Sequence, residues 1–223
     1  MNHFKGRHFQ KDIILVAVGY YFRFSLSYRD IVELLRDRGI TVHHTTVMRW
    51  VHHYGPIFKA LWRRHQTAHA KSWRIDETYI RVKGRWAYLY RAIDSNGLTM
   101  DFELRKHRDY TASYHFLKRL LTTNGRPDRL VTDQYRATLK AVKHLIKQDY
   151  LSKSAHQCSK YRNNLIEQDH LFIKRHRVRS ASFQSIRTAS ATLSGDAIRK
   201  RTRRELSLIG FSVVDELEAL LAA

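Results

Sequence analysis

The sequence has one cysteine, two prolines and no long apolar run, and these shortages exclude several classes of protein. A single cysteine, Cys158, cannot form an intramolecular disulfide, which fits a reducing compartment. The only strongly apolar run, IILVAV at 13–18, is far shorter than the ~20 residues of a membrane span. The basic N-terminus has no small-residue cleavage site behind this run, so no signal peptide is predicted. We therefore expect a globular cytoplasmic protein without a membrane partner.

Acidic residues are also scarce, since 20 Asp and Glu stand against 41 Lys and Arg and leave a formal net charge of +21. A charge of this size says little about the fold, but it favours a polyanionic partner. We interpret this partner as nucleic acid. The hydrophobic content of 43% is ample for a packed core.

Two helices are predicted near the N-terminus. Ser27 and Asp30 resemble a capping box, and Gly39 ends the helix that they begin. A second helix starts at Thr45 and is expected to end at Gly55-Pro56. Its apolar side leaves four polar residues facing outward, namely Thr46, Arg49, His52 and His53. The pattern is typical of a helix-turn-helix that inserts its second helix into the DNA major groove, and equally of a helical hairpin that only packs.

The period of the apolar residues changes to two between positions 73 and 104. Three strands, separated by Lys83-Gly84 and by a turn with Asn96-Gly97, predict an antiparallel meander. A helix, the short strand RLVTD at 129–133 and a second helix follow, and 151–164 is ambiguous between loop and strand. From Leu165 the chain is predicted helical and becomes strongly basic. This order indicates a mixed α/β fold.

The carboxylates of the stretch WRIDETYI, 73–80, raise the question of function. Side chains alternate along a strand, so Asp76 and Glu77 point to opposite faces and only one of them belongs to a tight site. The pattern does not say which face is the core. Two further acids stand out, Asp133 at the end of a strand and Glu167 near the start of the last long helix.

Each acid also has an ordinary structural interpretation. Asp76 is a candidate to pair with an arginine, Asp133 to cap the following helix, and Asn164 with Glu167 to form a capping box. Together, however, carboxylates in a basic DNA-binding chain imply a cation between them and the phosphates. Mg²⁺ prefers oxygen ligands, and it is typically held by one or two carboxylates plus substrate phosphates. Two such ions about 3.5 to 4 Å apart stabilise an in-line displacement at phosphorus.

The residues resemble a known family. The stretches that carry the resemblance are WRIDETYI with KGRWAYLYRAID, then VTDQ, then SKYRNNLIEQDH followed by IKR. They are similar to the DDE transposases of compact bacterial insertion sequences, and in particular to the insertion-sequence-six group. NHFKGRHFQKDIILVAV and SYRDIVELL are similar to the N-terminus of that group, so the resemblance covers most of the chain. One departure follows Asp133, where Gln134-Tyr135-Arg136 replaces the common small-residue and proline run.

The resemblance implies a ribonuclease H-like mixed-sheet catalytic core behind an all-α helix-turn-helix DNA-binding region. It assigns metal binding and catalysis to Asp76, Asp133 and Glu167, with two magnesium ions that manganese can replace, and gives Glu77 no metal role. Lys174, seven residues after Glu167, and the neighbouring Arg175 are then expected to contact DNA phosphates, with His170 as a further candidate.

The implied activity is DNA transposition: a nucleoid-associated bacterial enzyme binds the terminal inverted repeats, cleaves the element ends and joins them to target DNA as a homodimer or higher oligomer. Two alternatives are a catalytically inactive DNA-binding repressor of the element and a nuclease that cuts without joining. The expected domains are 1–68 for DNA binding, 69–182 for catalysis and a basic segment, 183–223, packing on the catalytic core.

Overall fold

The protein divides into two compact units in a computed structural model that describes residues 4–6, 8–24, 26–64, 70–159, 183, 185–193 and 212–222. The first unit comprises Met1–Thr67, Val178–Ala181 and Arg187–Ala223, and the second comprises Ala68–Arg177 and Ser182–Ile186. The elements are α1 (Lys11–Arg23), α2 (Tyr28–Arg36), α3 (His44–Arg64), β1 (Ser72–Val82), β2 (Arg85–Asp94), β3 (Thr99–Arg105), α4 (Tyr110–Asn124), β4 (Arg129–Thr132), α5 (Arg136–Lys147), β5 (His156–Cys158) and α6 (Val213–Ala222). Residues 186–193 are also helical.

The first unit is built from helices around one apolar core. Helices α1, α2 and α3 bury aliphatic and aromatic side chains against each other, with Ile14, Val51 and Tyr54 fully enclosed. The predicted capping box at α2 is confirmed, because the Ser27 hydroxyl accepts from the Asp30 N–H and the Asp30 carboxylate accepts from the Ser27 N–H. Gly39, at φ 75°, ends this segment as predicted.

Helix α3 is longer than the sequence predicts. The expectation that it ends at Gly55-Pro56 is wrong, because the helix continues to Arg64 with Pro56 inside it. Beyond the proline, the apolar side chains of Phe58 and Leu61 pack into the helical core. The free energy gained by their burial offsets the cost of the backbone hydrogen bond that proline cannot donate.

The described part of the C-terminal segment belongs to this helical core. Leu217 of α6 is buried there, and Glu218 forms an ion pair with Lys11 of α1 at 2.6 Å. The expectation that 183–223 packs on the catalytic core is therefore corrected for α6, whose apolar side contacts α1 and α3. None of the helices within the described ranges is long and apolar enough to cross a membrane.

The second unit contains a five-stranded sheet in the order β3-β2-β1-β4-β5. Strands β1, β2 and β3 form the predicted antiparallel meander, whereas β4 pairs parallel with β1 and β5 pairs parallel with β4. The tight turn at Lys83 and Gly84 has positive φ at both residues, as a type I′ hairpin requires. Within the segment 151–164, which was ambiguous between loop and strand, residues 156–158 form strand β5. The sheet contains both parallel and antiparallel strands, and together with its helices it forms a mixed α/β fold, as predicted.

Helices α4 and α5 cover one face of the sheet. Trp73 and Ile75 of β1 share a buried cluster with Phe116 of α4 and Val142 of α5. Because side chains alternate along β1, Glu77 lies on this helix-covered face and Asp76 on the other. The face of β1 that carries Trp73, Ile75 and Glu77 is therefore the one that α4 and α5 cover.

Candidate active site

Asp76 and Asp133 come from neighbouring parallel strands. The register of β1 and β4 pairs Arg74 with Val131, so Asp76 and Asp133 each lie two residues beyond this pair along the chain. Asp133 directly follows the last residue of β4. The carboxyl ends of parallel strands, at the point where the strand order reverses, are where open α/β sheets place their ligands.

Asp76 lies directly opposite Arg91 of β2 in the antiparallel register. Arg91 is only 5% exposed, and its Nη2 donates to Thr99 Oγ1 at 3.3 Å. Burial lowers the pKa of Arg91 to about 10, and the charge of Asp76 opposes this decrease. The interpretation of Asp76 as the neighbour of an arginine is therefore confirmed.

Both carboxylate oxygens of Asp133 accept hydrogen bonds. Oδ1 accepts from the Tyr135 N–H at 3.1 Å, and Oδ2 accepts from Arg108 Nη2 at the same distance. Asp133 does not cap α5, because the N-cap of that helix is Tyr135. Its carboxylate is 29% exposed and remains open to a ligand.

Glu77 lies beside the site in a role that the sequence did not indicate. Its Oε2 accepts from Arg108 Nε at 2.9 Å and Nη2 at 2.7 Å, and its Oε1 accepts from Thr138 Oγ1 at 2.9 Å. The side chain is 3% exposed. Burial raises the pKa of Glu77, and the nearby Arg108 opposes the increase. Arg108 is 31 residues away in sequence, so no local pattern could have predicted this contact.

The two described carboxylates that the sequence predicts as ligands are of the chemical type that a hard divalent cation prefers. Asp76 and Asp133 supply carboxylate oxygens, and Mg²⁺ needs only one or two of these when substrate phosphates complete its shell. Within the described residues, no group of three His, Cys, Asp or Glu side chains is close enough to hold a metal ion. The third predicted carboxylate, Glu167, lies outside the described residues, as do His170, Lys174 and Arg175.

The four predicted DNA-contacting residues of α3 do not share one environment. Thr46, Arg49 and His53 line one surface cleft, together with Trp50. His52 instead turns toward α2, where its Nε2 lies 3.5 Å from the Tyr28 hydroxyl. Burial lowers the pKa of His52. The outward-facing position predicted for His52 is therefore corrected.

The sequence of this chain matches a known protein family and individual known proteins. Residues 70–205 match a family model described as a DDE domain. Two curated proteins of Staphylococcus aureus, the "Transposase for insertion sequence-like element IS431mec" and the "Transposase for insertion sequence element IS257 in transposon Tn4003", are each 51% identical to this chain over 228 residues. Both alignments cover 100% of this chain and 100% of the relative.

The chain therefore belongs to the DDE-domain family of insertion-sequence transposases, and the resemblance seen in its sequence is confirmed. It is a polynucleotidyl transferase that carries out DNA transposition. Membership in this family implies that the reaction depends on divalent metal.

Solved structures give weaker similarity. A chain of the simian T-cell lymphotropic virus intasome in complex with PP2A regulatory subunit B56 gamma aligns at a TM-score of 0.45 and 16% identity, covering 58% of this chain and 49% of that chain. The HTLV-2 integrase catalytic core domain in complex with magnesium aligns at 0.38 and 17% identity, covering 48% of this chain and 67% of that one. A similarity of this size does not bear on the assignment.

Proposed function

We propose that this transposase binds the terminal inverted repeats of its element, cleaves the DNA at both ends and joins the freed ends to target DNA. The observation that supports the catalytic step most directly is the parallel pairing of β1 with β4, because Asp76 belongs to β1 and Asp133 directly follows β4. Two carboxylates on neighbouring strands of a basic chain have a clear use in holding cations against DNA phosphates.

In this proposal, Asp76, Asp133 and Glu167 hold two magnesium ions, which manganese can replace, in a ribonuclease H-like core. The ions would activate the attacking oxygen and stabilise the leaving oxygen at phosphorus. Asp133 presents its partly exposed carboxylate just after β4, where the Tyr135 N–H donates to one oxygen. Asp76 presents its carboxylate from β1, where Arg91 balances its charge across the sheet.

DNA recognition is assigned to the N-terminal unit, with α2 and α3 as a helix-turn-helix. Arg49 and His53 are exposed on α3, and with Thr46 they line a single cleft, so these three residues are the proposed contacts to the repeats. His52 is left out because it packs on α2. Lys174 and Arg175 are proposed to contact backbone phosphates, and a homodimer or higher oligomer would pair the two ends.

Strand joining in vitro tests the proposed function. Purified protein is incubated with labelled DNA that carries the flanking ends of the element, a plasmid target and Mg²⁺ or Mn²⁺, in parallel with Glu167→Gln. We expect joined product that requires metal and is lost in the variant. Normal end binding without cutting or joining would support the repressor alternative, and nicking without joining would support the nuclease.

A second assay tests the DNA-reading surface. Arg49→Ala should weaken binding to the terminal repeats more than binding to random DNA of equal length, because base contacts carry sequence information and phosphate contacts do not. An equal loss on both DNAs would show that Arg49 contacts only the backbone.

A further inference from the structure

Arg108 joins two acids of different exposure, Glu77 on β1 and Asp133 just after β4. Its Nη2 donates to Glu77 Oε2 at 2.7 Å and to Asp133 Oδ2 at 3.1 Å, while its Nε also donates to Glu77. The Glu77 side chain is 3% exposed and the Asp133 side chain 29% exposed. One end of the contact is thus anchored in the fold and the other end reaches the candidate metal ligand.

Two aromatic residues hold the same guanidinium. Its carbon lies 3.7 Å from the ring centroid of Tyr135, and the Tyr135 hydroxyl donates to the Arg108 carbonyl oxygen at 2.7 Å. Arg108 Nη1 donates to the Tyr79 hydroxyl at 3.0 Å. A planar guanidinium stacked on a ring and bonded along its edge has little freedom to move.

The Asp133 carboxylate is therefore fixed on both sides. The Tyr135 N–H holds Oδ1 and Arg108 holds Oδ2, so a single orientation of the carboxylate satisfies both donors. Each oxygen retains a further lone pair for another ligand, because a carboxylate has about four acceptor sites. A side chain that is ordered before its ligand arrives loses less conformational entropy on binding.

We propose that Arg108, anchored by Glu77 and Tyr135, is a positioning residue that orders Asp133 for metal binding. This inference rests on the proposed role of Asp133 as a metal ligand. It gives Glu77 a function without making it a ligand, since Glu77 acts only by holding Arg108.

The test compares Arg108→Lys with a matched variant in the full-length protein. Lysine keeps the positive charge but loses the fork, so it cannot reach Glu77, Tyr79 and Asp133 together. The matched variant is Arg119→Lys, because Arg119 also bridges two acids, Asp101 at 2.8 Å and Glu103 at 2.7 Å. Two quantities are measured: Mn²⁺ binding without DNA, by electron paramagnetic resonance, and the Mn²⁺ concentration that gives half-maximal strand joining.

We expect Arg108→Lys to weaken Mn²⁺ binding by about twofold to tenfold, the cost of ordering one side chain, and to raise the half-maximal concentration by the same factor. Arg119→Lys should leave both values at those of the wild type. Tyr135→Leu should behave like Arg108→Lys, whereas Tyr135→Phe, which keeps the ring, should have the smaller effect. If Arg108→Lys and Arg119→Lys give the same metal dependence, Arg108 is only structural and the inference is overturned. If the wild type itself joins no DNA, the proposed function fails instead.

Discussion

Asp76 and Arg91 lie directly opposite one another on β1 and β2, and Arg91 is 5% exposed. The carboxylate proposed to bind metal therefore also offsets the charge of a buried guanidinium. Asp76 itself is half-buried, and its loss would leave the buried Arg91 charge without this partial compensation. Asp76 should accordingly matter for stability as well as for catalysis.

Asp76→Asn is predicted to abolish cleavage and joining and to lower the free energy of unfolding by about 1 to 3 kcal/mol, since Asp76 is half-buried beside the buried Arg91. Asp133→Asn serves as the control, because Asp133 is 29% exposed and Arg108 keeps Glu77 as its partner. It should lose activity with a smaller loss of stability. Urea unfolding of both variants measures the difference. Equal stabilities would show that Asp76 contributes nothing to the burial of Arg91.

Gly55→Ala is predicted to destabilise the helical unit. Alanine normally stabilises a helix interior by about 1 kcal/mol relative to glycine. Here, however, an added Cβ would lie 2.5 Å from the Ala191 carbonyl oxygen, so the backbone would have to move. Ala60→Gly, at an exposed position of the same helix, should show the ordinary propensity cost alone. A higher melting temperature for Gly55→Ala would contradict the close contact.

Ser27→Ala is predicted to cost about 1 kcal/mol of unfolding free energy, since it removes the acceptor for the Asp30 N–H at the start of α2. The control is Ser95→Ala, at an exposed turn position. Chemical denaturation monitored by circular dichroism is the measurement. If the two variants unfold alike, the capping box does not stabilise the protein.

His156 is predicted to make stability depend on pH. Its Nε2 lies 2.9 Å from Thr132 Oγ1, and burial lowers the pKa of this histidine. The stabilising contribution of neutral His156 is complete above its ordinary pKa near 6.5 and is lost as the pH falls through the lowered value. His156→Gln should flatten this part of the profile. Melting temperatures between pH 7.5 and 5 measure it, and an unchanged slope would assign the dependence to another group.

Local patterns predicted the parts of the fold that local chemistry determines. The capping box at Ser27 and the meander with its turn at Lys83-Gly84 are set by neighbouring residues, and both are confirmed. The end of α3 was predicted wrongly because burial of Phe58 and Leu61 outweighs the local effect of Gly55-Pro56.

The candidate active site likewise has features that local patterns predict and features that only the tertiary structure determines. Alternation along β1 separates Asp76 from Glu77, but only the packing of α4 and α5 shows which face is covered. The contacts of Arg108 with Glu77 and Asp133 join residues 31 and 25 positions apart, and no periodicity encodes such a pair. The metal roles of Asp76, Asp133 and Glu167 came from family resemblance and stay predictions.

The most direct test of these roles replaces single carboxylates by thiols. Strand joining is measured for Asp76→Cys, Asp133→Cys and Glu77→Cys in Mg²⁺ and then in Mn²⁺. Mg²⁺ demands oxygen ligands, whereas a transition metal such as Mn²⁺ accepts a thiolate more readily. We predict that the first two variants are inactive in Mg²⁺ and partly restored by Mn²⁺, and that Glu77→Cys shows no such restoration. Restoration at Glu77 but not at Asp76 would contradict this prediction.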